Sequence, residues 1–159
     1  MDSLAIALAL VLSWPSPSVA PQAATVTVRL VYYQSGKPAK GIGLFFFEGD
    51  PQKIPPAEEK DGSRAPRAIT SQDGTAVFQI APPLPDFIFS SIDDDRVTAC
   101  ATMPLVPLKQ ALEHGFALTL DAEFGKYCKG SPQILEKILP KPGEILIFIR
   151  KRSFWEIYG

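Results

Sequence analysis

Residues 25–33 read TVTVRLVYY, an alternation of apolar and polar side chains with a period of two. This pattern is typical of a half-buried β-strand, with Val26, Val28 and Leu30 facing a core. A second such stretch lies near the other end of the chain, where residues 144–150 read EILIFIR and three isoleucines alternate with Leu146 and Phe148. Since one such strand lies near each end, we expect the two to pair within one sheet.

The composition agrees with a β architecture. The chain has 159 residues, 46% of them apolar, which is enough for a single domain with a real core. Its 16 prolines disfavour a helical bundle. Together the strand and turn signals predict an all-β fold, an immunoglobulin/prealbumin-like β-sandwich of about 7–8 strands with one or two short helices in the C-terminal half.

Local signals locate some turns and helices. The Asp73-Gly74 pair predicts a hairpin with a type I′ turn. Pro107 is expected to begin a short helix that Gly115 ends. Ser153 and Glu156 have the spacing of a capping box, which predicts a helical tail over residues 153–159.

The N-terminus indicates export. Residues 4–12, LAIALALVL, form an apolar run too short to span a membrane, and small residues follow at Ser18 and Ala20. We therefore predict a signal peptide over 1–20, the sandwich over 21–152 and a secreted or periplasmic protein. A buried N-terminal strand or helix is the alternative, because the run lacks a preceding Lys or Arg and Pro21 follows the cleavage position.

Two cysteines, Cys100 and Cys128, would meet in an oxidising compartment. An even number of thiols in an exported chain predicts one disulfide. Two independent buried thiols are the alternative.

Charge and histidine content exclude several functions. The formal net charge of −1 argues against a broad nucleic-acid interface. His114 is the single histidine, so a zinc site that needs two cannot form, and no serine hydrolase motif is present. We place His114 at a helix C-terminus, in a structural role. No metal or other cofactor is indicated, and we predict that the chain is not an enzyme.

Aromatic residues are the main candidates for contact with a ligand or partner. Phe45 and Phe47, or Phe46 if the register is inverted, can face outward, as can Tyr33. Packing between two sheets is the alternative for the phenylalanines. Near the C-terminus, residues 150–152 are basic and precede further candidates, Trp155 and Tyr158, which can touch a membrane surface or a partner or fold back over the sandwich.

The acidic run Asp93-Asp94-Asp95 is a weaker candidate. Three carboxylates could hold calcium, which prefers oxygen ligands. The run lacks EF-hand spacing, and three acids in a turn are more often solvated.

Two blocks resemble a known family. Residues 26–47 combine a strand with the turn Gly36-Lys37-Pro38 and with Gly41, and residues 70–78 read TSQDGTAVF. In this order they resemble the carboxypeptidase-regulatory-like domain of the prealbumin-like (transthyretin-like) group, as found in exported bacterial proteins. The resemblance implies a small exported sandwich that accompanies other modules or binds protein or carbohydrate.

Two functional hypotheses follow. The first is a non-catalytic exported interaction or accessory module that contacts a protein or glycan at the cell envelope. The second is a carbohydrate-binding sandwich that uses the aromatic strand and the 48–67 loop.

Overall fold

The computed structural model describes residues 22–49, 67–118, 128 and 136–158. These residues form two short helices and nine strands, two of which are only two residues long. The strands are β1 Ala24–Tyr32, β2 Gly43–Glu48, β3 Arg67–Ile69, β4 Thr75–Ile80, β5 Phe87–Ile92, β6 Val97–Ala99, β7 Val106–Pro107, β8 Phe116–Ala117 and β9 Glu144–Lys151. The helices are α1 Leu108–His114 and α2 Phe154–Tyr158.

The strands form two sheets. Sheet A has the order β4-β1-β9-β6, and β8 pairs with β9 beside β6. Sheet B has the order β3-β2-β5-β7. Side chains from both sheets share one buried core, so the predicted all-β sandwich is confirmed. The two short helices lie in the C-terminal half, as expected.

The first and last strands form the centre of sheet A. β1 and β9 pair in parallel, from Thr27 opposite Glu144 to Tyr32 opposite Ile149. The predicted pairing of the two alternating stretches is therefore confirmed. Parallel neighbours need a long crossover between them, and here that crossover contains all the other strands.

An ion pair fixes this register. The guanidinium of Arg29 donates to both carboxylate oxygens of Glu144, at 2.6 and 3.0 Å, and also to the carbonyl of Leu139 at 2.8 Å. The Glu144 carboxylate accepts a third hydrogen bond, from the Lys141 amide at 2.9 Å. Glu144 is buried, so its charge depends on these donors.

The two faces of β9 are both covered. Ile145, Ile147 and Ile149 point into the core between the sheets. Leu146 and Phe148 point to the opposite side, into a second apolar cluster completed by Val31, Tyr33, Cys100 and Cys128. Around β9, sheet A therefore buries its outer face as well as its inner one, whereas Val77 on the edge strand β4 stays exposed.

Cys100 and Cys128 form the predicted disulfide, with their Cα atoms 5.8 Å apart. Cys100 follows β6 directly and donates its amide to the carbonyl of Phe148. The bridge thus attaches Cys128 to the outer face of sheet A, within the second apolar cluster.

The Asp73-Gly74 turn differs from the prediction. It joins β3 of sheet B to β4 of sheet A, so its strands do not pair with each other. Of its residues only Gly74 has a positive φ, which excludes a type I′ turn. The Gly74 carbonyl accepts from the Leu30 amide at 2.9 Å, which directs β4 onto β1. A Cβ at Gly74 would lie 2.6 Å from the Leu30 carbonyl oxygen, so only glycine fits.

Two of the predicted segments lie outside the part of the chain that the structure describes. The signal peptide predicted over 1–20 and most of the 48–67 loop lie outside the described residues. Among the described helices, none combines the length and hydropathy needed to cross a bilayer.

Replacing Glu144 by Gln tests the ion pair. We expect Glu144→Gln to lower the free energy of unfolding by about 2–4 kcal/mol, because it leaves the Arg29 charge partly buried without its counter-ion. Denaturant unfolding measures the effect. Glu113→Gln is the matched control, since the pairs of Glu113 with Lys109 at 4.0 Å and with His114 at 3.9 Å are both exposed. This variant should change stability by less than about 0.5 kcal/mol. Equal losses in the two variants would contradict the role of Glu144.

Removing the disulfide tests its contribution. The bridged residues are 28 positions apart, and opening a loop of this size should cost about 3–4 kcal/mol in the chain-entropy model. The Cys100→Ala/Cys128→Ala variant and the reduced wild-type protein should both show this loss in urea unfolding. A midpoint unchanged by reduction would contradict the prediction.

Candidate functional site

The outer face of sheet B carries a row of apolar side chains, which we call the phenylalanine face. It consists of Phe45 and Phe47 on β2, Phe87 and Phe89 on β5, and Ile69 on β3. Alternation produces it, because Leu44, Phe46 and Ile88 on the same strands point inward and are buried. Phe87 is 45% exposed and Ile69 63%, whereas Phe45, Phe47 and Phe89 are half-buried.

Strand pairing brings these side chains together. Phe47 lies directly opposite Phe89, and their ring centroids are 5.9 Å apart at a tilt of 49°. Phe45 lies between Ser91 on one side and Arg67 on the other. The rings therefore form a continuous surface across the two central strands of the sheet.

An ion pair borders the phenylalanine face. The Arg67 Nε lies 2.6 Å from an Asp93 carboxylate oxygen, and both side chains are partly exposed. The pair closes over Gly43 of β2. A Cβ at Gly43 would lie only 2.7 Å from the Asp93 carbonyl oxygen and 3.2 Å from the Arg67 guanidinium, so glycine leaves room for the pair. Polar character is thus found at the rim and apolar character at the centre, which is the usual anatomy of an interface.

The two sheets differ in how their outer faces are covered. On sheet A the outward Leu146 and Phe148 are buried by the second apolar cluster. On sheet B the outward phenylalanines keep part of their surface accessible. The contrast makes the phenylalanine face the candidate contact surface of the molecule.

The predicted contact residues divide into three groups. Phe45 and Phe47 point outward as expected, while Phe46 is buried and stacks on Phe78 of the other sheet at 4.5 Å. Tyr33 is only 6% exposed and packs edge-on against Phe148, so its predicted outward exposure is wrong. It is covered because it belongs to the second apolar cluster, which buries the outer face of sheet A around β9.

The C-terminal candidates lie outside the phenylalanine face, because α2 follows β9 of sheet A and the face belongs to sheet B. Trp155 on α2 is 80% exposed, and the side chain of Tyr158 lies outside the described part of the structure. Glu156 holds the helix against β9, accepting from Arg150 at 2.9 Å and from the Ser153 amide at 2.8 Å. These hydrogen bonds hold the pKa of Glu156 far below its usual range.

The sequence alone does not identify three residues of the phenylalanine face as contact candidates, namely Phe87, Phe89 and Ile69. In β5 the inward positions are Ile88, Ser90 and Ile92, so the two faces are similar in hydropathy. Only the pairing of Phe47 with Phe89 reveals which side of β5 joins the aromatic strand. A search for phenylalanines at alternate positions in two strands would have found Phe87 and Phe89 but not Ile69.

Side chains of the same molecule already interact with Asp93, Asp94 and His114. Asp93 pairs with Arg67, and Asp94 accepts from the Arg96 guanidinium at 2.6 and 2.9 Å. These bonds to Arg96 lower the pKa of the Asp94 carboxyl, which is therefore ionised and engaged. His114 is the last residue of α1 and is exposed. Its Nε2 lies 3.9 Å from a carboxylate oxygen of Glu113. Within the described ranges, no three acidic, histidine or cysteine side chains converge as a metal site would require.

Comparison with known proteins gives similarity in fold only. No protein-family model matches the chain, and no curated protein sequence matches it. The solved structure of the full-length major pilin SpaD from Corynebacterium diphtheriae is similar at 14% identity and a TM-score of 0.42, over 82% of this chain and 32% of the pilin. The chain thus spans about a third of that protein.

Two dioxygenases are also similar. An intradiol ring-cleavage dioxygenase from Tetranychus urticae matches at 20% identity and a TM-score of 0.40, over 83% of both chains. A second dioxygenase structure matches at 17% identity and a TM-score of 0.38, over 75% of this chain and 62% of the enzyme.

These comparisons limit one prediction and correct another. The carboxypeptidase-regulatory-like resemblance has no family model behind it, although the sandwich fold itself is shown. The prediction that the chain is not an enzyme is wrong, because enzymes are among its structural neighbours. That prediction relied on missing peptidase and serine hydrolase motifs, which exclude those two classes alone. At these identities the likeness concerns the fold, and no reaction is carried over to this chain.

Calcium should not stabilise the protein through residues 93–95. Binding would have to displace arginine from both Asp93 and Asp94. We expect melting temperatures in 5 mM calcium and in chelator to agree within about 1 °C, since only a ligand that binds the folded state raises stability. A calcium-dependent rise that Asp94→Asn abolishes would contradict this.

Proposed function

We propose that this protein is an exported interaction module of the cell envelope that binds a protein partner through the phenylalanine face. The observation that carries the proposal is a row of partly exposed rings across two paired strands, formed by Phe45, Phe47, Phe87 and Phe89. A row of partly exposed aromatic rings is costly to leave in water and is typical of a contact surface.

The chemistry of the face favours a protein over a glycan. Sugars carry hydroxyl groups that need hydrogen-bond partners, and recognition sites for them combine aromatic rings with polar side chains. The outward positions of β2 and β5 are Gly43, Phe45, Phe47, Phe87, Phe89 and Ser91, so Ser91 supplies their single hydroxyl. An apolar patch on another protein matches such a surface, and Arg67 and Asp93 offer polar contacts at its rim.

The compartment follows from two features. The N-terminal apolar run with its small-residue exit is the basis for export, and the Cys100–Cys128 disulfide agrees with an oxidising environment. We therefore infer a secreted or periplasmic location, with residues 1–20 as the signal peptide, residues 21–152 as the sandwich and residues 153–159 as its tail.

Site-specific photo-crosslinking tests the proposed contact. We expect benzoylphenylalanine in place of Phe87 to crosslink a defined protein in the producing cells, while the same group at Val77 does not. Val77 is the matched position because it is apolar, 56% exposed and on β4 of the other sheet. The crosslinked protein is identified by mass spectrometry, purified and titrated against the wild-type chain.

Substitution then measures the contribution of the face. Phe87→Ser should weaken binding of that purified protein at least tenfold, because Phe87 is the most exposed ring of the face and large aromatic side chains contribute much of the binding energy of an interface. Val77→Ser should leave it within twofold, and melting curves show whether each variant is folded. Equal affinity of the two variants would overturn the proposal. So would binding of neutral oligosaccharides that Phe87→Ser abolishes, which would support the carbohydrate-binding alternative.

A further inference from the structure

An open cleft lies where β1 and β9 end side by side. Its volume is about 590 Å³, within the range of small-molecule sites. Tyr32 and Ile149, paired in register, form part of its wall, and the turn after β1 supplies Gln34 and Ser35. The cleft shares no residue with the phenylalanine face.

Positive charge dominates the cleft. Lys37, Lys40, Arg150 and Lys151 are among its nine lining residues, and none of the nine is acidic. In the described part of the chain, no acidic side chain forms an ion pair with any of the three lysines, whereas Arg150 is held by Glu156. The whole chain has a formal charge of −1, so this concentration of cations is local.

An aromatic ring lies within the same wall. Tyr32 is half-buried, with its body packed against the core. The Lys151 Nζ stands 5.9 Å from the centroid of its ring. Tyr32 thus combines an apolar face with an adjacent cation.

Backbone hydrogen bonds hold the loop that carries the two other lysines. The Lys37 carbonyl accepts from the Tyr32 amide at 2.9 Å, and the Ala39 amide donates to the Leu30 carbonyl at 3.0 Å. Beyond them the buried Thr70 hydroxyl donates to the Ala39 carbonyl at 2.6 Å and accepts from the Ile42 amide at 3.0 Å. Lys37 and Lys40 therefore extend from a fixed backbone, which lowers the entropy cost of binding.

We propose that this cleft binds an acidic saccharide, a sugar that carries a carboxylate or a phosphate group. The lysines would neutralise the acidic group, which they can approach from two sides, from the loop and from the end of β9. Lys151 lies over the ring of Tyr32, and once its ammonium turns from the ring to the acidic group, the ring offers a flat surface for the apolar face of a sugar. The exposed side chains of Gln34 and Ser35 can exchange hydrogen bonds with its hydroxyls.

Titration with defined sugars tests the class of ligand. The probes are tri-galacturonate, the matched neutral galactose trimer and inorganic phosphate, each added to the ¹⁵N-labelled protein. We expect tri-galacturonate to shift amide signals at residues 32–40 and 149–151, with an affinity that falls at least fivefold between 50 and 300 mM salt. The neutral trimer should bind at least tenfold more weakly.

Charge reversal tests the location of the site. Lys37→Glu/Lys40→Glu should weaken tri-galacturonate binding at least tenfold, because two attractive charges become repulsive. The matched control is Lys109→Glu/Lys137→Glu, which makes the same change in net charge at exposed lysines outside the cleft and should change the affinity less than twofold. Tyr32→Leu should weaken sugar binding without affecting the response to phosphate, which separates stacking from charge.

Several results would overturn the proposal. No binding of tri-galacturonate at 10 mM would do so, as would equal losses in the two double variants. Phosphate binding as tight as that of the sugar would reveal an anion site without saccharide recognition. Binding to vesicles of anionic phospholipid that Lys37→Glu/Lys40→Glu abolishes, without any response to the sugar, would assign the cleft to a membrane surface.

Discussion

The parallel pairing of β1 with β9 is the contact on which the rest of the structure depends. It places a strand from each end of the chain at the centre of sheet A, and the Arg29–Glu144 pair fixes their register. A slip by one residue would exchange the faces of β9, moving Leu146 into the core and separating Arg29 from Glu144. The position of β9 in turn determines where β6, β8 and the disulfide can lie, because all three are attached to it or to its neighbours.

The sequence predicts the local parts of this fold better than their arrangement. Alternation identifies β1, β4 and β9, since each has one fully apolar side, and export chemistry predicts the disulfide. The Asp73-Gly74 turn shows the limit of such local signals. Its residues favour a turn in any context, but its two strands do not pair with each other because the Gly74 carbonyl accepts from Leu30 of β1, which directs β4 into sheet A while β3 stays in sheet B. That contact joins residues far apart in sequence, which turn propensity does not describe.

The sequence predicts part of the candidate surface correctly and misplaces another part. Phe45 and Phe47 have the expected orientation because Leu44 and Phe46 between them must fill the core. Tyr33 directly follows β1 and continues its alternation in the sequence, yet it is buried because the second apolar cluster covers sheet A around β9. Periodicity separates the two sides of a strand but does not show which outer side is covered. For the cationic cleft, Lys37 and Lys151 are brought together only by the end of the β1–β9 pair.

The central position of the last strand also affects how the chain can fold during its synthesis. Arg29 and Glu144 are 115 residues apart, so the contact order of sheet A is high. A nascent chain cannot complete this sheet before residues 144–151 have been translated, and until then Val26, Val28 and Leu30 have no β9 to pack beside. A chain without β9 has not closed its sandwich, so it keeps a freedom to pass through narrow spaces that the closed sandwich lacks.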